Sequence, residues 1–175
     1  MRIISGKYKG RRLGNKKFNA RPTTDFAREG LFDILNNYFD YEQMKVLDLF
    51  SGTGSISYEF ASRGCPHVEL VESDFKNFKF ITEIIDELGL KEVKPIKADV
   101  YRFIDKCKST YDFIFADPPY DMKDIDQIPN LIFEKPLLNA EGWFVLEHSK
   151  QYKFSEHPHF KEQRNYGAVH FSIFR

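Results

Sequence analysis

Met44-Lys45-Val46-Leu47-Asp48-Leu49-Phe50-Ser51-Gly52-Thr53-Gly54 is the stretch whose reading decides the fold. Met44 to Phe50 has the length and composition of a buried strand. Ser51 to Gly54 is a glycine turn. Ser55 to Arg63 follows with Ile56, Phe60 and Ala61 on one helical face, and Gly64 stands where a glycine ends a helix. Strand, glycine turn and helix together are the context that a nucleotide-binding loop requires.

The same alternation continues downstream. His67 to Val71, Val93 to Lys97, Tyr111 to Ala116 and Gly142 to His148 read as further strands. Phe75 to Leu88, closed by Gly89, and Val100 to Cys107 read as helices. Asp124 to Phe133 is weakly helical and is interrupted by Pro129. Phe160 to Tyr166 and Ala168 to Phe174 form a closing hairpin around Gly167. Strands alternating with helices imply an α/β fold with a mostly parallel, doubly wound sheet. Upstream, Phe26 to Phe39 has apolar residues at helical spacing, with Thr23 or Thr24 as cap. Arg2 to Leu13 reads as two short β segments around Gly6. The expected division is a hairpin and leading helix at 1–40, not an independent domain, and the main domain at 41–175.

Asp117-Pro118-Pro119-Tyr120 ends the fourth strand of that domain. Proline cannot donate to a ladder, so the strand stops and leaves a carboxylate, rigid carbonyls and a flat ring at its carboxyl end. Ligands bind at that end of open α/β sheets, although a plain proline turn would look the same. Glu72 and Asp99 end two other strands, and with Asp48 they make four successive strands that each finish in an acid. Asp99 and Ser73 or Asp74 also suit helix caps, and Glu72 a helix-start acid, roles compatible with ligand contact.

Formal net charge is zero, which hides an asymmetry. Residues 1–28 hold nine Lys or Arg against one acid, Asp25, so the rest of the chain is acidic by the same margin. A basic arm in which Arg2, Lys7, Lys9, Arg11 and Arg12 interleave with Tyr8, extended by Lys16, Lys17 and Arg21, suits a polyanion whose bases an aromatic ring can stack on. Cys65 and Cys107 have no metal-ligand spacing and form no disulfide framework. No metal is expected. Neither a signal peptide nor an apolar run long enough to span a bilayer is evident, so a cytoplasmic monomer is the expectation.

The glycine loop departs from the dinucleotide pattern at Ser57, and Asp48 sits four residues before Gly52. A carboxylate there suits a cationic ligand group better than a pyrophosphate. S-adenosylmethionine, with its ammonium and sulfonium, is such a ligand; Glu72 could take its ribose hydroxyls and Asp99 its adenine amine. Asp117 and the Pro118 carbonyl could then each accept a hydrogen from a nucleobase amine, localising its lone pair, while Tyr120 stacks on the base. Adenine-N6 methylation of DNA or RNA and a non-catalytic RNA-binding module with a relic cofactor site are the rival readings.

Val46 to Gly54 with Asp117 to Tyr120 resembles the class I S-adenosylmethionine-dependent methyltransferases that modify exocyclic amines. Arg2-Ile3-Ile4-Ser5-Gly6-Lys7-Tyr8-Lys9-Gly10-Arg11-Arg12-Leu13, then Arg21-Pro22-Thr23-Thr24-Asp25 and Arg28-Glu29, is similar to the RsmD family of bacterial enzymes that act on guanine N2 of small-subunit (16S) ribosomal RNA. The resemblance implies a Rossmann-like seven-stranded sheet of order 3-2-1-4-5-7-6 with strand 7 antiparallel. It places the cofactor's methionine part near Asp48, Ser51, Gly52 and Gly54, its ribose on Glu72 and its adenine by Asp99. The target guanine would lie against Asp117, Pro118 and Tyr120. Arg21, Thr23 and Thr24 would close over cofactor or RNA, and ribosomal RNA or the small subunit would be the partner. Gly30, inside the first helix, departs from what a helix interior favours by up to about 1 kcal/mol.

Overall fold

Seven strands form one sheet in the order β3-β2-β1-β4-β5-β7-β6. They are β1 (Lys45–Leu49), β2 (His67–Glu72), β3 (Val93–Lys97), β4 (Tyr111–Ala116), β5 (Leu138–His148), β6 (Phe160–Tyr166) and β7 (Val169–Phe174). The first five run parallel, and β7 alone runs against its neighbours β5 and β6. The computed structural model describes residues 1–14 and 24–175.

Side-chain alternation splits the core into two layers. Val46, Leu70, Phe113, Phe115, Val145 and Phe171 face one side, under α1 (Asp25–Leu35), α2 (Ser55–Ser62) and α3 (Phe75–Leu88). Leu47, Leu49, Ile114, Ala116, Phe144 and Leu146 face the other, under α4 (Val100–Lys106) and α5 (Ile128–Glu134). Near-continuous apolar strands are what a sheet covered on both faces requires. Pro95 is tolerated because β3 is an edge strand. Among the described residues, no helix is long and apolar enough to cross a membrane.

Several elements differ from the sequence expectation. The leading helix stops at Leu35, yet apolar spacing continues to Phe39. Tyr38 and Phe39 are apolar because their rings pack on Trp143, at centroid distances of 4.7 and 5.4 Å, and not because the helix goes on. Pro129 does not interrupt a helix; it lies in the first turn of α5, where its missing N–H costs nothing. β5 begins at Leu138 rather than Gly142, pairing Leu138 with Tyr111 before a register shift. Gly30 has a packing reason: a Cβ there would overlap the ring of Tyr166 from β6.

The basic hairpin has one antiparallel bridge, Arg2 to Arg12, in place of two regular strands. It is held to α2 largely by its main chain. The buried Glu59 accepts from Ile4 N (2.8 Å) and Ser5 N (2.9 Å), and also from Arg63 Nε (3.0 Å). Lys7 N donates to Ser62 O (2.7 Å), and Tyr8 N to Ser62 Oγ (3.0 Å). Gly6 makes this approach possible: its φ is +79°, and a Cβ would overlap the Ser62 carbonyl. Arg28, 1% exposed, completes the joint by donating to Arg2 O (2.6 Å), Asp25 Oδ1 (2.6 Å) and Ser55 O (3.4 Å).

Glu59→Ala should therefore strip two main-chain donors of their acceptor and leave Arg63 without its buried counterion. The expected loss is about 3 kcal/mol, a fall of roughly 6–12 °C in thermal midpoint for a chain of this size. Thermal unfolding followed by circular dichroism would measure it, and a midpoint within a degree or two of wild type would refute the anchoring role.

Candidate active site

The carboxyl edge of the sheet is built by the βα turns. After β1 the chain turns at Phe50, which adopts φ 55°, a left-handed conformation costing a non-glycine residue about 1–2 kcal/mol. That turn lets Ser51 N and Ser51 Oγ both reach Val71 O, at 3.0 and 3.1 Å, tying the loop to β2. Gly54 has φ 79°, and a Cβ on it would stand 2.6 Å from Tyr58 Oη. The loop thus passes close over α2 without side chains at Gly52 and Gly54. Tyr58 is fully buried, and its hydroxyl has no hydrogen-bond partner among the described residues.

Four acids stand on the α1–α3 face of this edge. Asp48, 2% exposed, accepts from Ser57 Oγ at 2.6 Å. Glu72, also buried, accepts from Gly52 N (2.8 Å) through one oxygen and from Asp74 N (2.7 Å) through the other. Each oxygen keeps a lone pair for a further donor. Asp117 follows β4 directly, its N–H bonded to Leu49 O at 3.3 Å. Glu147, 2% exposed, is the next-to-last residue of β5, and Tyr120 Oη donates to its Oε1 at 3.5 Å. Pro118 is buried, while Pro119 and Tyr120 are exposed.

Crowding of like charges away from water sets the protonation of this row. Burial pushes Asp48 up to about 7 against the pull of Ser57, with Glu72 adding to the rise. Asp117 is pushed well above the usual carboxylate range, first by burial and then by Glu147 and Asp48. Glu72 is raised by burial and held back by the N–H groups of Asp74 and Gly52. A row of buried carboxyls of this kind favours a positively charged ligand.

The other sequence candidates are dispersed. Asp99 is exposed and caps α4, accepting from Arg102 N at 3.0 Å. Thr24 caps α1, its Oγ1 accepting from Ala27 N at 3.2 Å. Arg21 and Thr23, with Lys16 and Lys17, lie outside the described residues. Arg2, Lys7, Lys9, Arg11 and Arg12 are all exposed on the hairpin. Tyr8 is committed to docking: it is half-buried, and its hydroxyl donates to Leu88 O at 3.1 Å. Sequence reasoning passed over Glu147, Arg28 and Glu59 as site or docking residues. A signal for Glu147 was present, because the Gly142–His148 run carries an acid one residue before its end, as the Met44–Phe50 run carries Asp48 near its end.

A sheet of this order, with a glycine loop after its first strand and acids along its carboxyl edge, defines the class I methyltransferase fold. A hypothetical protein of Thermus thermophilus superposes with a TM-score of 0.89 at 28% identity, covering 100% of this chain and 99% of the other. The family described as Conserved hypothetical protein 95 matches over residues 1–175, and the chain belongs to it, as an RsmD-type methyltransferase. Ribosomal RNA small subunit methyltransferase D of Buchnera aphidicola subsp. Acyrthosiphon pisum is 33% identical over 151 residues, 85% of this chain and 78% of that relative. The protein of the same name from Buchnera aphidicola subsp. Baizongia pistaciae is 30% identical over 180 residues, 99% and 91% of the two chains.

The raised Asp48 has a sign that can be tested. In the folded protein its proton stays on until about pH 7, whereas an unfolded aspartate ionises near 3.9. Between those values the folded state binds more protons, so stability falls as pH rises through the window and the deficit is complete above it. Asp48→Asn should match wild type near pH 4 and melt higher at pH 8, by on the order of a few kcal/mol. Melting curves across that range would check it; a pH-independent difference would contradict the assignment.

Proposed function

We propose that this protein transfers a methyl group from S-adenosylmethionine to the exocyclic N2 amine of a guanine in small-subunit ribosomal RNA. The observation that carries the reading is Asp117 and Pro118 at the end of β4, between the acids of β1 and β5 and on the glycine-loop side of the sheet. The names of the Buchnera relatives support RNA of the small subunit as substrate.

The residues fit the cofactor. Gly52 and Gly54 hold positive φ that other residues rarely adopt, and the buried Tyr58 hydroxyl beside Gly54 has no hydrogen-bond partner among the described residues. Asp48 would answer an ammonium, which would draw its proton off near pH 7. Glu72 would accept from the ribose hydroxyls through its remaining lone pairs, and Asp99 would accept from the adenine amine beside its cap. Thr23, Thr24 and Arg21 would close over cofactor or RNA. When bound, the cofactor supplies an electrophilic methyl group on a sulfonium.

The protein's part is positional and electrostatic. An aryl amine is a weak nucleophile because its lone pair is shared with the ring. Asp117 and the Pro118 carbonyl would each accept one amine hydrogen, drawing the nitrogen toward tetrahedral geometry and freeing that pair. Asp117 need not be charged to do this: the carbonyl oxygen of a neutral carboxyl accepts as an amide does. Tyr120, exposed at the rim, would stack on the flipped base. The proton then leaves a methylated nitrogen that has become far more acidic.

Purified protein incubated with labelled cofactor and ribosomal RNA should yield N2-methylguanine on nucleoside analysis; N6-methyladenine would select the rival enzyme, and no transfer a binding module. Asp117→Ala should retain S-adenosylhomocysteine binding by calorimetry and lose roughly 10²-fold or more in turnover. Normal turnover in that variant would dismiss the amine-polarising role.

The exposed hairpin would meet RNA phosphates. Replacing Lys9, Arg11 and Arg12 together by Ala should weaken RNA binding and reduce the slope of log affinity against log salt by about 2. Titrations at several salt concentrations would show whether the slope changes; an unchanged slope would return these charges to a solubility role.

A further inference from the structure

Glu147 is absorbed by neither the cofactor reading nor the amine reading. Leu146 lies opposite Ala116 across β4 and β5, so the next residues, Glu147 and Asp117, emerge side by side on one face. Glu147 is 2% exposed, and Tyr120 Oη meets its Oε1 at 3.5 Å. Tyr120 also lines a cavity of about 570 Å³ with Ser149, Lys150, Gly167 and His170. That volume is within the range of small-molecule sites. Ser149 Oγ, buried at its wall, has no hydrogen-bond partner among the described residues. An acid, an aromatic ring and an unmatched hydroxyl therefore converge next to the amine-binding position.

The two purines that carry a methylatable amine differ at the neighbouring atom. In guanine the amine sits beside N1–H, a donor; in adenine it sits beside N1 with a lone pair, an acceptor. We infer that Glu147 is the base-selecting residue: its carboxylate accepts N1–H of the guanine whose amine Asp117 holds, and repels the N1 lone pair of adenine. The inference rests on the methyl-transfer reading of the Asp117 site. Asp117 is raised by burial and then by Glu147, as two carboxyls held side by side on adjacent strands would be. Ser149 would donate to guanine O6.

The test uses small-subunit RNA fragments that carry guanosine or 2-aminopurine riboside at the mapped target position. 2-Aminopurine keeps the 2-amine, replaces N1–H with a lone pair and lacks O6, so the change of ratio in Glu147→Gln isolates the N1 contribution from that of Ser149. The wild-type protein should use the analogue roughly 10²-fold less efficiently in kcat/KM, the scale expected when a buried acceptor is left facing a lone pair. Glu147→Gln can turn an amide N–H toward that lone pair, so it should lose efficiency on guanosine and bring the two substrates within about tenfold of each other. Tyr120→Phe removes the hydroxyl that meets Glu147 and leaves the carboxylate in place, so it should keep the wild-type ratio. S-adenosylhomocysteine calorimetry on each variant verifies the fold. Equal use of both substrates by wild type, an unchanged ratio in Glu147→Gln, or the same ratio change in Tyr120→Phe would overturn the inference. An N2-methylguanine product with an unchanged ratio would overturn it alone, whereas methyl on adenine N6 would overturn the guanine reading as well.

Discussion

Carboxylates packed side by side, largely out of water, are the constraint to which this structure answers. Glu72, Asp48, Asp117 and Glu147 occupy neighbouring strands β2, β1, β4 and β5, all on one face. Each acid removed from water needs a donor, a proton or a countercharge. The fold supplies these unevenly. Glu72 receives main-chain N–H groups on both oxygens, Asp48 one hydroxyl, and Asp117 keeps its proton longer than a solvated carboxylate would. Of these three, Asp48 and Asp117 are the two whose carboxyls are raised furthest by burial. Strand order, the glycine turn and the proline stop all place the acids along this edge.

The rest of the chain keeps that edge rigid. Phe50 holds an unfavourable turn because Ser51 bonds to β2 on its far side. Arg28 links the hairpin, the first turn of α1 and the start of α2 through three acceptors. The glycine loop is thus braced from the sheet and from the amino-terminal arm at once.

Much of the fold was legible in the sequence because its signals are local. The strand-turn-helix of residues 44–63, the capped α3 and the proline stop after β4 each depend on a few adjacent residues. The sheet order is not local; it came from the resemblance, and the observed pairing agrees. Errors arose where a tertiary contact used a residue type for another purpose. Tyr38 and Phe39 mimic helical spacing because Trp143 needs rings against it. Gly30 looks like a poor helix residue until Tyr166 is set beside it. Tyr8, read as a ring that could stack on a base, has a second role that the sequence did not show: its hydroxyl holds the hairpin against the end of α3. At the site, the acids of β1, β2 and β4 were readable from their position at strand ends. Glu147 was readable by the same rule and was passed over because no proline or glycine punctuation follows it. The docking roles of Glu59 and Arg28 could not be read, since their acceptors and donors lie 26 to 55 residues away.

The hairpin's attachment to α2 runs largely through its main chain. Ile4, Ser5, Lys7 and Tyr8 are fixed by their backbone N–H groups, while the side chains of Lys7, Lys9 and Arg12 are exposed and those of Arg2 and Arg11 lie within ion-pair reach of Asp25, Glu29 and Glu87. Lys7, Lys9 and Arg12, whose side chains make no hydrogen bond or ion pair with α2 among the described residues, can exchange side chains without loosening those main-chain bonds. The arm's surface charge and its seat on α2 are thus carried by different atoms of the same residues.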